Sequence, residues 1–119
     1  MKYRDFYDDI RRRLKEVADN SGIGFKYPAQ SIEKFTLMGL RHLMSSIPVA
    51  FCDDKGRLPS LPEQPVPNGT DDDLPCPPEM EPALEAYVMR ALLESDASDI
   101  RDSSFASYWA KRFTELAGV

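Results

Sequence analysis

Eight of the ten prolines lie between Pro48 and Pro78. No helix and no central strand tolerates that density, because proline lacks a backbone N–H and clashes with the preceding turn. The block therefore splits the chain of 119 residues into two flanking segments. Each flank carries helical periodicity, and the whole length is that of one ordinary domain. The expected fold is mostly α: a four-helix core of two antiparallel helical hairpins, with a long proline-rich arm or hairpin between them. Residues 1–119 form a single helical domain in this reading, with 48–78 as an extended interaction arm.

The first helix is expected over about residues 3–18. Phe6, Tyr7, Ile10, Leu14 and Val17 recur at steps of three and four, so they share one face. Asp19, Asn20, Ser21 and Gly22 supply a stop and a turn. The second helix is expected from Pro28, a good first-turn residue, to about Ser46, with Pro48 enforcing the stop. Its apolar residues Ile32, Phe35, Leu37, Met38, Leu40, Leu43, Met44 and Ile47 cover more than one face. Such an arc needs two packing partners in its own chain or one in another chain. Gly39 interrupts it at a cost of about 1 kcal/mol against Ala, and suits close approach of another backbone.

The third helix is expected over about residues 79–95, with Met80, Leu84, Tyr87, Val88, Ala91 and Leu92 as its stripe. A turn over 95–99 precedes the fourth helix, where Phe105, Trp109, Phe113 and Leu116 align with Tyr108 beside them, and Gly118 closes it. The expected core is Phe6, Ile10, Leu14, Phe35, Leu43, Leu84, Tyr87, Val88, Phe105, Trp109 and Phe113. Within the arm, Val49, Ala50 and Phe51, with Arg57 and Leu58, read as short strands around a turn at Asp53, Asp54, Lys55 and Gly56. The remainder reads as extended polyproline, ordered only where something grips it.

Charge is uneven along the chain. The net value is −5, yet residues 1–57 hold 11 basic and 8 acidic side chains, and residues 58–119 hold 4 basic and 12 acidic. Oppositely charged halves suit packing of one copy against another, although two solvated faces explain the same numbers. A pI near 4.8 argues against a free-standing nucleic-acid binder. No apolar run reaches the length of a membrane span, and residues 1–5 lack the apolar stretch of a signal peptide, so neither membrane insertion nor secretion is expected.

Signals for catalysis are sparse. His42 is the only histidine and has no ligand-type residue at metal-binding spacing. Phosphate loops, nucleophile elbows and His-Glu-x-x-His patterns are absent. Cys52 and Cys76 are expected as free thiols, although a bridge across the arm stays open. Asp71, Asp72 and Asp73 read as a solvated turn, lacking the alternating spacing of a calcium loop. Arg11, Arg12 and Arg13 point about 100° apart on a helix and have Asp8, Asp9 and Glu16 close by to offset them. No enzyme activity, metal or cofactor is expected. What is left is shape: apolar surface beyond the needs of a core, which normally marks an interface. Val49, Phe51, Leu58, Leu61, Pro62, Pro65 and Pro67 of the arm, with Leu37 and Met38 of the second helix, are the candidate interface residues.

Two stretches resemble the head-to-tail connector (adaptor) proteins of tailed bacteriophages. One runs from Tyr3-Arg4-Asp5-Phe6 to Leu43-Met44-Ser45-Ser46-Ile47-Pro48. The other begins at Pro77-Pro78-Glu79-Met80-Glu81-Pro82-Ala83-Leu84-Glu85-Ala86-Tyr87-Val88, passes the turn Ser95-Asp96-Ala97-Ser98-Asp99, and ends at Tyr108-Trp109-Ala110-Lys111-Arg112-Phe113. The resemblance implies a virion protein without catalytic residues. It would form a homo-oligomeric ring of about twelve copies in the neck between capsid and tail. Its partners would be other copies of itself, the portal protein, and tail or nozzle proteins, with DNA passing through the channel as cargo. Many members of the family carry a C-terminal docking extension, whereas this chain ends at Ala117-Gly118-Val119. The 48–78 arm is therefore expected to make the contact with portal, tail or neighbouring subunit.

Three other readings fit the same residues. One is a tail-completion or stopper protein of the same stack. Another is a small DNA-binding regulator, a repressor or antitoxin using the second helix and the arginine run. The last is an accessory or chaperone subunit.

Overall fold

The computed structural model describes residues 1–21, 29–67, 69, 71–95 and 100–117, with side chains placed for these except 17–21, 29, 95 and 100–106. The chain is mostly α. Its elements are α1 (Tyr3–Ser21), α2 (Ala29–Ser46), the single turn α3 (Pro48–Phe51), a 3-10 turn (Pro78–Met80), α4 (Glu81–Ser95) and α5 (Ile100–Ala117). The expectations on Pro28, on the side chains of Val17 and Phe105, on most of the 95–99 turn and on Gly118 lie outside the described residues.

Helix α4 holds the four long helices together. Ala83, Leu84, Ala86, Tyr87, Val88, Met89, Leu92 and Leu93 are all buried, a set that runs well round the helix. A helix apolar on so many sides needs neighbours on each of them. Helix α5 packs along one side, α2 along a second and α1 along a third, while α1 and α2 touch each other only sparsely. The α4/α5 pair is antiparallel. Pro82 in the first turn of α4 lines the same cleft as Leu116 near the end of α5, and the Tyr87 and Phe113 rings meet edge-on at 5.6 Å.

Gly39 marks the closest approach of α2 to α4. A Cβ at this position would stand 2.7 Å from Leu84 Cδ1 and 2.8 Å from Tyr87 Cδ1. One turn later His42, on the exposed side of α2, stacks on Tyr87 with ring centroids 5.5 Å apart and reaches Phe113 at 5.6 Å. The same Tyr87 ring has the Arg90 guanidinium 5.3 Å from its centroid. The second helix thereby satisfies most of its wide apolar arc inside its own chain. Ile32, Leu37, Leu40 and Leu43 are buried, Phe35, Met44 and Ile47 are half-buried, and Met38 is exposed. Thr36, also buried, donates its hydroxyl hydrogen to the Ile32 carbonyl at 2.7 Å. The surplus that the sequence suggested on this helix thus shrinks to one side chain.

The proline-rich connection is folded back as a strap over α1. Val66 and Leu74 are buried in the core, and Leu61 and Cys76 pack against it. The Tyr7 hydroxyl donates to the Val66 carbonyl at 2.8 Å from a fully buried position. The Leu74 N–H donates to the Met1 carbonyl at 2.9 Å and the Tyr3 N–H to the Asp72 carbonyl at 3.1 Å, with Lys2 and Asp73 as an isolated antiparallel bridge. Lys2–Asp73 and Arg4–Asp71 ion pairs, both at 3.1 Å, flank this bridge on the exposed side. Asp71 and Asp73 of the acidic run are thus paired with the start of α1. The grip expected from a partner comes instead from the chain's own first helix.

The expected strand at Val49, Ala50 and Phe51 is the helical turn α3. Pro48 takes its first position, where the missing N–H is not needed and φ is preset. Phe51 turns into the core, and no strand lies beside it among the described residues to pair with. The turn at residues 53–57 does form. Asp53 Oδ1 accepts from the N–H groups of Lys55 and Arg57, both at 2.9 Å, and Gly56 sits at φ 76°. That left-handed conformation favours glycine.

Two substitutions test this packing. Gly39→Ala gains up to about 1 kcal/mol of helix propensity and meets an overpacking cost of about 1–3 kcal/mol. Denaturant titration should show a net loss of about 1 kcal/mol; a more stable variant would mean that α2 and α4 are not in tight contact here. Tyr7→Phe removes a buried donor and leaves the Val66 carbonyl unpaired, at a cost of about 1–2 kcal/mol. Limited proteolysis should then cut faster within residues 59–75, and an unchanged cleavage rate would contradict the strap contact.

Candidate assembly cleft

The structure scatters the nine candidate interface residues. Val49, Leu58, Pro67 and Met38 are exposed, Leu61, Pro62 and Pro65 are half-buried, and Phe51 and Leu37 are buried within the chain itself. Burial corrects the assignment of Phe51 and Leu37 to an exposed interface. Phe51 is the inward side chain of α3, and Leu37 lies on the covered side of α2. The candidate core residues Phe6, Ile10, Leu14, Leu43, Leu84, Tyr87, Val88 and Phe113 are buried, and Phe35 and Trp109 are partly so.

A different surface gathers exposed apolar side chains. Among the described residues, six large hydrophobics are exposed: Met1, Met38, Val49, Leu58, Tyr108 and Leu116. Met1, Tyr108 and Leu116 converge on one cleft of about 280 Å³. Helix α1 forms one wall with Phe6, Asp9 and Arg13. The start of α4, preceded by Pro78, forms the second with Glu81, Pro82 and Glu85, and α5 forms the third with Trp109 and Arg112. Tyr108 and Trp109 meet edge-on at 5.3 Å, which sets two aromatic rings at the mouth. The cleft exists because α1 and α5 contact α4 from different sides near its N-terminal end.

Charge inside the cleft is partly settled. Arg13 Nε lies 2.7 Å from Glu85 Oε1, and its N–H points off the hydrogen-bond axis, so charge dominates the contact. Burial raises the Glu85 carboxyl above the usual range, and Arg13 works in the opposite direction. Asp9 pairs with Arg12 at 3.1 Å. Arg11 pairs with Asp8 at 3.2 Å, so each member of the arginine run has a carboxylate beside it. Glu81 and Arg112 have no ion-pair partner among the described residues.

A second, more open hollow of about 380 Å³ lies between α1 and the strap, lined by Tyr3, Leu61, Val66 and Asp72. The Tyr3 hydroxyl is buried without a hydrogen-bond partner among the described residues, and burial pushes its pKa up to about 12. Cys52 and Cys76 are both free thiols, and burial pushes the Cys76 thiol up to about 12 as well. No group of three or more His, Cys, Asp or Glu side chains suited to a metal ion occurs among the described residues. No helix there is long and apolar enough to cross a membrane.

Sequence reasoning missed the cleft because Trp109 and Leu116 fit a stripe that reads as core. The available signal was Tyr108, an aromatic residue standing beside a stripe already complete. Comparison with protein-family models, curated proteins and solved structures finds no match.

Arg13→Ala tests the electrostatics of this wall. It should cost about 1 kcal/mol near neutral pH, a figure moderated by the exposure of Arg13. A carboxyl whose folded pKa is raised destabilises the fold as pH climbs through that pKa. Without Arg13 this penalty grows, so the gap between variant and wild type should close at acid pH, where Glu85 is neutral. A gap that stays constant across the titration would contradict the pairing.

Proposed function

We propose that the chain is a structural virion protein, a subunit of the ring that connects the portal at the capsid vertex to the tail and leaves a channel for DNA. The reading starts from the resemblance of its two helical stretches to phage head-to-tail connectors. The observation that carries it furthest is the cleft, where three of the six exposed large hydrophobics meet. A concavity that sets exposed apolar side chains among charged ones is surface of the kind that subunits bury on one another. The strap adds to this. A segment anchored to α1 through Val66, Leu74 and Tyr7 presents Leu58 and Pro67 as a set surface rather than a free tether, so docking costs little ordering entropy.

Quantitative mass spectrometry of purified, tailed particles of the phage that encodes this chain tests the proposal. The chain should occur in a fixed ratio to the portal subunit, consistent with a ring of about twelve copies. Its absence from complete particles, together with salt-dependent binding of duplex DNA by the purified protein, would replace the connector reading with that of a regulator.

A further inference from the structure

The strap is held to the helices at few points. Among its residues 59–67 and 71–76, only Val66 and Leu74 are buried. Residues 59–67 make no backbone–backbone hydrogen bond among the described residues. Their polar ties are the Tyr7 hydroxyl on the Val66 carbonyl and Arg41 Nη2, which donates to the Glu63 carbonyl at 3.3 Å. Residues 71–76 are tied to the start of the chain by two N–H donors, Leu74 to Met1 and Tyr3 to Asp72. Leu61 and Pro62 from one part of the strap and Asp72 and Pro75 from the other line the same open hollow beside α1, so the strap does not press on the helix along its whole length. The flanks are different: Phe51 before this segment and Met80 after it are both buried. A sparsely anchored segment between fixed ends is of the kind that opens without unfolding the rest.

Two tyrosines one turn apart on α1 meet the strap on unequal terms. Their ring centroids lie 6.0 Å apart. Tyr7 is 1% exposed and its hydroxyl is satisfied by the strap. Tyr3 is 4% exposed, and its hydroxyl is buried with no hydrogen-bond partner among the described residues. Tyr3 also lines the hollow, and burial first and the Asp72 carboxylate second keep its proton in place, so the hydroxyl is a donor held near the strap with nothing to donate to. A buried unpaired hydroxyl costs free energy that contact with water returns. Lifting the strap breaks the Tyr7 bond and hydrates the Tyr3 hydroxyl, so the two groups act in opposite directions on the same movement.

We infer that the strap is a cover that opens: residues 59–67 and 71–76 lift from α1 as a unit while the helical core stays folded, with the Tyr7 hydroxyl holding the cover shut and the Tyr3 hydroxyl favouring release. The closed form is the one described above, and the open form is a minor state. Opening bares Tyr3, Tyr7, Val66 and Leu74, apolar side chains that the closed cover hides. The inference does not depend on the connector reading, because it concerns one copy of the chain.

Amide hydrogen exchange of the full chain, read residue by residue, tests it. Tyr3 is the first residue of α1, so its N–H has no acceptor within the helix and relies on the Asp72 carbonyl. In wild type the N–H groups of Tyr3 and Leu74 should share one level of protection, about tenfold or more below that of Val88 and Met89 within α4, and that level should respond only weakly to denaturant. Tyr3→Phe removes the unpaired hydroxyl and should slow exchange at Leu74 by about fivefold or more, whereas Tyr7→Phe should speed it by a similar factor. Both substitutions keep the ring, and matching circular dichroism spectra establish that the helices are intact. Leu74 protected as strongly as Val88 in wild type would overturn the separate opening. Exchange at Leu74 that is unchanged or faster in Tyr3→Phe would overturn the part assigned to the Tyr3 hydroxyl.

Discussion

The burial of α4 on so many sides is the constraint from which the rest of the fold follows. A surface helix satisfies one apolar stripe against one layer. A helix with Ala83, Leu84, Ala86, Val88, Met89, Leu92 and Leu93 all inside has to be surrounded. Helix α5 is the nearest supplier, being the next segment in the chain. Helix α2 approaches closely enough to be useful because Gly39 has no side chain where Leu84 and Tyr87 sit. Helix α1 closes a third side and adds the Arg13–Glu85 pair. The cleft lies where α1 and α5 flank the start of α4.

The strap answers a second requirement. Prolines deny residues 48–78 most regular structure, yet the backbone carbonyls and apolar side chains there still need partners. Helix α1 supplies them: Tyr7 reaches Val66, and residues 1–3 pair with residues 72–74 as a minimal antiparallel bridge. The flanking ion pairs Lys2–Asp73 and Arg4–Asp71 are exposed, and pairs of that kind add little stability. Their contribution is to register. The anchoring comes from Val66 and Leu74, which are buried, and from the Tyr7 hydroxyl.

Much of this architecture was legible in the residues. Stripes at steps of three and four placed the long helices within a few residues of their observed ends, Pro48 marked the stop of α2, and Gly39 marked a close approach, made by the Leu84 and Tyr87 side chains rather than by a backbone. The misreadings share one physical cause: periodicity records which residues are apolar, and does not record what covers them. Leu37 looked available to a partner because its helix is apolar on more than one side, and Phe51 because it lies in the arm, and the chain itself covers both. Val49, Ala50 and Phe51 have the composition of a strand, but a strand requires a neighbour, and Pro48 preset a helical turn in its place. The strap was readable as a proline-rich connection, while its destination depended on Tyr7, whose hydroxyl carries no pattern in the sequence. The cleft was hidden for the converse reason. Trp109 and Leu116 obey the core period, and only the fold shows Leu116 exposed and Trp109 partly buried in a cleft beside Tyr108.

These features combine into a subunit that completes its own core and still leaves Met1, Tyr108 and Leu116 exposed around one cleft. In the proposed ring that cleft is the surface a neighbouring copy would cover. Cryo-electron microscopy of the assembled oligomer tests this most directly. The expected reconstruction is a closed ring with an axial channel, in which a neighbouring copy covers the cleft between α1, α4 and α5. A particle without such a ring, or a ring with those clefts facing solvent, would contradict it.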